Sequence, residues 1–267
     1  MLGVSKSGYY KWIAYGGIED QGTKLLLDRI KEIHAASRGT YGAPRIWDAL
    51  QGEGFHVNKK KVERLMRENG IRAKQKRKFK ATTDSNHKLP IAKNRLKRRF
   101  TQKKPNQAWV SDITYVWTDE GWLYLAVFID LFSRAVVGWS MSPKINADLV
   151  VNAFRMAKNN RGGKTAKLVH SDRGSQYASD AFVAELKQNK SKQSMSRKGN
   201  CWDNAVAESF FATIKQESIH HERFKTRQEA VDHTFDYIEC FYNRQRKHSH
   251  LDYLSPAEFE RQFYRAA

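Results

Sequence analysis

Three strand-like runs follow one another between Ala108 and Ser142 with almost nothing between them. The first, AWVSDITYVWT over 108–118, is dominated by β-branched and aromatic residues and lacks Gly and Pro. The second covers 121–130 after the turn Asp119-Glu120-Gly121, and the third covers 134–142, entered near a turn at Ser133. Connections this short cannot make parallel crossovers, so an antiparallel meander is predicted. Beyond it the pattern changes to a helix over 146–159, a strand over 167–171, a helix over 179–189 and a short strand over 191–195. A helix within SRKGNCWDNAVAESFFATIKQE (196–217) comes next, then a long final helix at roughly 226–246 with Val231, Phe235, Ile238 and Tyr242 on one side. A meander followed by βαβ units predicts an α/β fold: a mixed five-stranded sheet with flanking helices, of ribonuclease-H-like outline.

Three acids occupy unusual places in this scheme. Asp112 lies in mid-strand, where a carboxylate is costly to bury unless something pairs with it. Asp172 ends the short apolar run in KLVHSDRGSQY, and open α/β sheets put ligand-binding groups outside the carboxyl ends of strands. On a helical wheel Trp202, Val206, Phe210, Thr213 and Ile214 gather on one side, while Asn204, Glu208 and Lys215 fall on the other. Asn200 and Asp203 suit the helix start. Among rival acids, Asp203 points toward the edge of the apolar side, Glu217 is about 13 Å further along the axis than Glu208, and Glu185, on the preceding helix, has no cationic neighbour on its face to match Lys215. Singly each acid has a bland explanation. Together, Asp112, Asp172 and Glu208 offer three hard oxygen donors of the kind Mg²⁺ prefers.

The words around these acids carry a resemblance: SDITYV, FIDLFSR, HSDRGSQY, the SRKGNCWDNAVAESFFATIK block and YNRQRKHSHLDYLSPAEF. With 59 residues between Asp112 and Asp172 and 35 between Asp172 and Glu208, the chain resembles the catalytic-frame transposase of bacterial insertion sequences of the two-reading-frame class. Such proteins have a retroviral-integrase-like DDE core of ribonuclease-H-like fold. The resemblance implies that Asp112, Asp172 and Glu208 are catalytic and hold Mg²⁺, or Mn²⁺ as a substitute, with two ions expected when DNA is bound. It implies strand cleavage at element ends, then strand transfer by the resulting 3′-hydroxyl. Expected partners are double-stranded DNA at element ends and target, further copies of the chain on DNA, and the product of an upstream overlapping frame. Lys215, about 10 Å along the helix from Glu208, is a candidate to hold a DNA phosphate. Two rival readings use the same features: a catalytically silent transposon-derived DNA-binding regulator, and a ribonuclease H or resolvase-type nuclease. Intact acids argue against the first, and the basic front half against the second.

That front half is where charge enters. The net charge is +20, yet residues 1–104 hold 26 Lys/Arg against 9 Asp/Glu and residues 105–267 hold 22 against 19. Such asymmetry argues for an anionic partner gripped by the front. KLLLDRIKEIHAAS (24–37) reads as an amphipathic helix. Pro44 suits the first turn of the next helix, Gly52 and Gly54 break it, and Asn58 can cap KKKVERLMRENG. This outline, 24–71, is helix-turn-helix-like, with Lys59, Lys60, Lys61, Arg64 and Arg67 placed to meet DNA phosphates rather than base edges. Residues 72–104, with fourteen Lys/Arg and the single acid Asp84, read as a basic linker that orders only against nucleic acid. The catalytic domain is then expected over 105–267.

The segment 1–23 opens with MLGVSKSGYYKWI, words that resemble the interior of related proteins, so the readings are a truncated or unusual frame, upstream sequence supplied by a partner frame, or an ordinary, partly ordered terminus. Cys201 and Cys240 form no disulfide framework, and the longest apolar run, LYLAVFI, is too short to span a bilayer. A cytoplasmic, nucleoid-associated protein without a membrane partner is expected. His170 is a candidate to steer a phosphate or a packed strand residue, and Arg244, Arg246 and Lys247 beside Tyr242 form a basic-aromatic tail with possible access to DNA.

Overall fold

The meander forms as read: β1 (Ala108–Thr118), β2 (Gly121–Asp130) and β3 (Val136–Ser142) are antiparallel neighbours. β4 (Leu168–Ser171) and β5 (Lys192–Met195) extend the sheet in parallel on the other side of β1, giving the order β3-β2-β1-β4-β5. This is the expected ribonuclease-H-like arrangement, with β1 central. The computed structural model describes residues 5–14, 21–74, 89–198 and 200–266. Two compact units divide the chain, Met1–Lys74 and Gln75–Ala267.

In the larger unit, α5 (Ala147–Asn160) is capped by the Asn146 side chain, which accepts from the Leu149 amide at 3.2 Å. Its apolar stripe covers one face of the sheet. Trp109, Phe128, Phe154 and Phe182 pack there edge to face or tilted, with centroids 5.6–6.4 Å apart. Gly138 on β3 permits this approach, because a Cβ there would lie 2.3 Å from the Ala157 nitrogen. The chain then runs through β4, the single turn α6 (Ser175–Ala178), α7 (Asp180–Gln188) and β5. A 3₁₀ turn, Cys201–Asn204, leads into α8 (Ala205–Glu217).

The structure departs from the sequence reading in three places. The predicted long final helix is α9 (Arg227–Phe235), begun by a Thr226/Glu229 capping box and continued as a π-helical stretch, Asp236–Tyr242. In α9 Ala230 and Thr234 face inward and Phe235 is exposed, while in the π-helical stretch Tyr237, Ile238, Phe241 and Tyr242 are buried. A further helix, α10 (Pro256–Ala266), follows the quoted SPAEF word and packs Phe259 and Phe263 on Phe132, with centroids 5.1 and 4.9 Å away. Finally, residues 89–104 are not a free linker. The Arg95 and Leu96 amides donate to Ser194 Oγ at 2.8 and 3.2 Å, and Leu96 is buried.

The smaller unit comprises α1 (Lys6–Ala14), α2 (Gln21–Ala36), α3 (Ala43–Gly52) and α4 (Lys59–Glu68). Ile30, Ile46, Leu50, Val62, Leu65 and Met66 form its core. Asn58 caps α4, accepting from the Lys60 amide at 2.9 Å, and Trp47 Nε1 donates to the Val57 carbonyl at 2.8 Å to fix the turn. Among the described residues no helix is long and apolar enough to cross a membrane.

Candidate active site

Strand register brings the first two acids together. Val110 on β1 lies opposite His170 on β4, so Asp112, within β1, and Asp172, just past the end of β4, are each two residues further on neighbouring strands. Asp112 Oδ1 accepts from the Ile113 amide at 2.8 Å, and Asp172 Oδ1 accepts from the Gly174 amide at 2.9 Å. Burial raises the Asp112 carboxyl well above its ordinary range, and repulsion from Asp172 and then Glu208 adds to this. The Ile113 amide and the Lys215 ammonium oppose the rise. Behind the pair, Ser111 Oγ and Tyr177 Oη share a buried hydrogen bond of 2.8 Å.

The connection from β5 to α8 is stitched to the chain neighbours of both aspartates. Ser196 N donates to the Ser171 carbonyl at 2.9 Å, and Arg173 Nε donates to the Ser196 carbonyl at 2.7 Å, so the residues on either side of Asp172 hold its start. Its end is held next to Asp112, where Asn204 Nδ2 donates to the Ser111 carbonyl at 3.2 Å. α8 therefore starts over the two aspartates, with exposed Glu208 in its first turn. Partial desolvation raises the Glu208 carboxyl. Asn204 Oδ1 is buried without a protein donor among the described residues. Sequence reasoning placed Asn204 on the polar arc but gave no role to it or to Ser196; a polar residue just past a strand end and another before a helix were the available signals.

The environments around α8 are not the ones the wheel suggested, in part because Trp202 lies in the 3₁₀ turn before it. Trp202 is 68% exposed, whereas Lys215 is 5% exposed, with its Nζ 4.4 Å from the Tyr115 ring centroid. On the polar arc Glu208 is exposed but Lys215 is buried, and Phe210 and Ile214 of the apolar side are buried as well, so α8 packs on two sides. Burial lowers the Lys215 ammonium to about 8, against the pull of Asp112. The structure thus places Lys215 behind Asp112 rather than on a free surface.

The rival acids are all engaged. Asp203 is 0% exposed and takes Arg197, Arg98 and Asn94, none of them a helix amide. Glu217 holds Arg246, which is therefore buried and not part of a DNA-accessible tail. Glu185 takes a cation from a different helix, Arg155 of α5, at 2.8 Å. His170 is the packed strand residue, its Nδ1 2.8 Å from Ser194 Oγ and its Nε2 3.2 Å from Ser196 Oγ. Among the described residues no three acids, cysteines or histidines are gathered into a ready metal cage.

On α4, Lys59, Lys60, Arg64 and Arg67 are exposed and Lys61 is half-buried. Lys59 lies 4.0 Å from Glu63 and Arg64 3.9 Å from Glu68, so the basic surface is interleaved with acids of the same helix.

Comparison with known proteins adds three findings. Residues 102–201 and 208–263 match families described as Integrase core domain, and residues 22–79 match the HTH-like domain family. Transposase InsF for insertion sequence IS3A of Escherichia coli (strain K12) is 44% identical over 263 residues, covering 97% of this chain and 91% of that protein. The insertion element IS600 uncharacterized 31 kDa protein of Shigella sonnei is 44% identical over 268 residues, covering 100% and 98%. Among solved structures, the HTLV-2 integrase catalytic core domain in complex with magnesium has 19% identity and a TM-score of 0.45, covering 58% of this chain and 96% of that one.

Proposed function

The chain belongs to the insertion-sequence transposase family represented by InsF, and on that premise we propose that it is a DNA transposase in which Asp112, Asp172 and Glu208 form the catalytic centre. The observation that carries this reading is the stitching of the 196–204 connection to residues flanking both aspartates, which sets the Glu208 helix over them. The donor set fits hydrated divalent cations: three hard carboxylates whose mutual repulsion a cation would relieve, beside the orphaned acceptor Asn204 Oδ1. Mg²⁺, or Mn²⁺ in its place, held by Asp112, Asp172 and Glu208 as two ions when DNA is bound, would supply activation of the attacking oxygen and stabilisation of the leaving one.

The protein's own part is positioning. β1 and β4 fix two carboxylates at a set spacing, and α8 brings the third from an independent element. Water attacking the phosphodiester at an element end gives cleavage and a 3′-hydroxyl. The same hydroxyl attacking a phosphodiester of target DNA forms a new P–O bond as the bond to the target's 3′-oxygen breaks, releasing a target 3′-hydroxyl, and this is strand transfer. The helix-turn-helix-like unit holds double-stranded DNA through phosphates with Lys59, Lys60, Lys61, Arg64 and Arg67. Lys215 supports Asp112 from behind. The working complex is a homo-oligomer on element ends and target DNA in the bacterial cytoplasm, joined by the product of an upstream overlapping frame.

The test uses the full chain, a duplex carrying a terminal inverted repeat with its flank, and Mg²⁺. Nicks with 3′-hydroxyls at the element end, then joined products, are expected, and Asp112→Asn or Asp172→Asn should lose both together. Cleavage confined to an RNA–DNA hybrid would point instead to a ribonuclease, and tight binding without cleavage to a silent regulator.

A further inference from the structure

The 196–204 connection contains a charged cluster that the catalytic reading leaves unused. Asp203, fully buried, is shared by two guanidiniums: Arg98 Nε donates to Oδ1 at 2.9 Å, while Arg197 Nε and Nη2 donate to Oδ2 and Oδ1, each at 2.9 Å. Asn94 Nδ2 and the Arg197 amide complete the set at 2.9 and 3.0 Å. Arg98 Nη2 is tied to Asn200 Oδ1 at 2.9 Å. The arginine side chains nonetheless remain 44% and 58% exposed. One carboxylate between two guanidiniums leaves a net positive charge, to which exposed Lys198 adds. Arg98 Nη1 and Arg197 Nη1 have no protein acceptor among the described residues.

We propose that Asp203 organises Arg98 and Arg197 into a phosphodiester clamp that holds the DNA backbone beside the reacting bond. The side chains are locked before ligand arrives, which removes the rotamer cost that ordinarily weakens an exposed arginine contact. A guanidinium with free donors matches phosphate oxygens in charge and geometry. The position is equally specific. Arg197 follows Ser196, which is bonded to residues on both sides of Asp172, and Asp203 lies five residues before Glu208. Half of the clamp comes from Arg98, in the basic stretch docked along β5, which gives that docking a catalytic purpose. The proposal rests on the transposase reading only for the identity of the ligand as DNA.

The test is a scan of single methylphosphonate substitutions, each removing one backbone charge, through the ten or so nucleotides around the cleavage site. Affinity of the full chain is measured without divalent metal, so the readout does not depend on the three acids. At one or two phosphates next to the cleavage site the wild type should lose about tenfold, the size of a charge-assisted hydrogen bond. Arg197→Gln and Arg98→Gln should lose nothing further there, and the slope of log affinity against log salt should fall by about 0.9 for each lost contact. Equal losses for wild type and variants at every phosphate would overturn the clamp. Should a glutamine variant melt below the assay temperature, the lysine variant keeps an ion pair with Asp203 but not the second donor. It is read by the same scan and the same criterion. A wild type that shows the pattern yet never cleaves in Mg²⁺ contradicts the transposase reading alone; one that cleaves with a flat scan contradicts the clamp alone.

Discussion

Arg246 grips Glu217 with two parallel hydrogen bonds, Nε to Oε2 at 2.7 Å and Nη2 to Oε1 at 2.6 Å, and both side chains are 6% exposed. Tyr237 Oη adds a third donor at 2.7 Å. The pair joins the end of α8 to the chain beyond the π-helical stretch. Its acid is spent on structure, as is its arginine.

Glu217→Gln is therefore expected to act on stability. Removing one partner leaves a buried guanidinium uncompensated, at about 3–5 kcal/mol. Urea unfolding of the variant measures this directly, and residual cleavage should track the folded fraction. A fully stable but inactive variant would show that Glu217 has a part in the chemistry.

Glu208→Gln should behave in the opposite way. The residue is exposed at the start of α8, so stability should change by less than about 0.5 kcal/mol. Cleavage and strand transfer should both disappear, because the amide keeps the shape and removes the charge. Turnover on an element-end duplex with melting and DNA affinity measured alongside checks it; an active variant means the third acid is elsewhere.

Lys215→Met separates support of Asp112 from phosphate holding. The ammonium lies over Tyr115 and counters the raised Asp112 carboxyl. If its loss raises that carboxyl by one further unit, the cost is about 1.4 kcal/mol, or about tenfold in turnover. DNA affinity should stay near wild type and higher Mg²⁺ should restore part of the rate. Weakened affinity with normal turnover would return Lys215 to the DNA surface.

Asp203 supplies a pH dependence. Hydrogen bonds from Arg197, opposed by burial, hold its carboxyl well below the usual carboxylate range, with Arg98 assisting. A depressed folded value means that its contribution is present above the unfolded value of about 3.9 and is lost as pH falls toward the folded value. The wild-type melting temperature should drop between about pH 5 and pH 2, and Asp203→Asn, less stable at neutral pH, should show a shallower acid limb. Parallel limbs for the two proteins would argue that other carboxylates dominate.

The sheet was legible because its signals are local. A mid-strand Asp112 between β-branched and aromatic residues, and turn residues at 119–121, specify β1 and β2 without tertiary information. The Glu208 helix was legible only as a helix. A wheel assumes one continuous helix with one inner side, but Trp202 lies in the 3₁₀ turn before α8 and Lys215 on a second packed side, so the two exchange the environments their polarity suggests. The π-helical stretch has no composition of its own, which hid the inward turn of Tyr237 and Phe241. Asp203 and Glu217 could not be told from free carboxylates, since their arginines come from 98, 197 and 246 and meet them only through the fold.

The docking of residues 92–96 onto β5 changes where this enzyme can be cut. β5 is the outer strand of the sheet, and its Ser194 hydroxyl and Met195 sulfur receive the amides of Arg95, Leu96 and Ala92. A fragment trimmed to residue 105, where the catalytic motifs begin, would strip that cover, uncap Asp203 and leave an outer strand ready to pair with its copy in another molecule. Such a fragment is expected to precipitate on expression, whereas one starting near residue 89 should remain in solution, so the smallest working catalytic piece carries a stretch that contains none of its motifs.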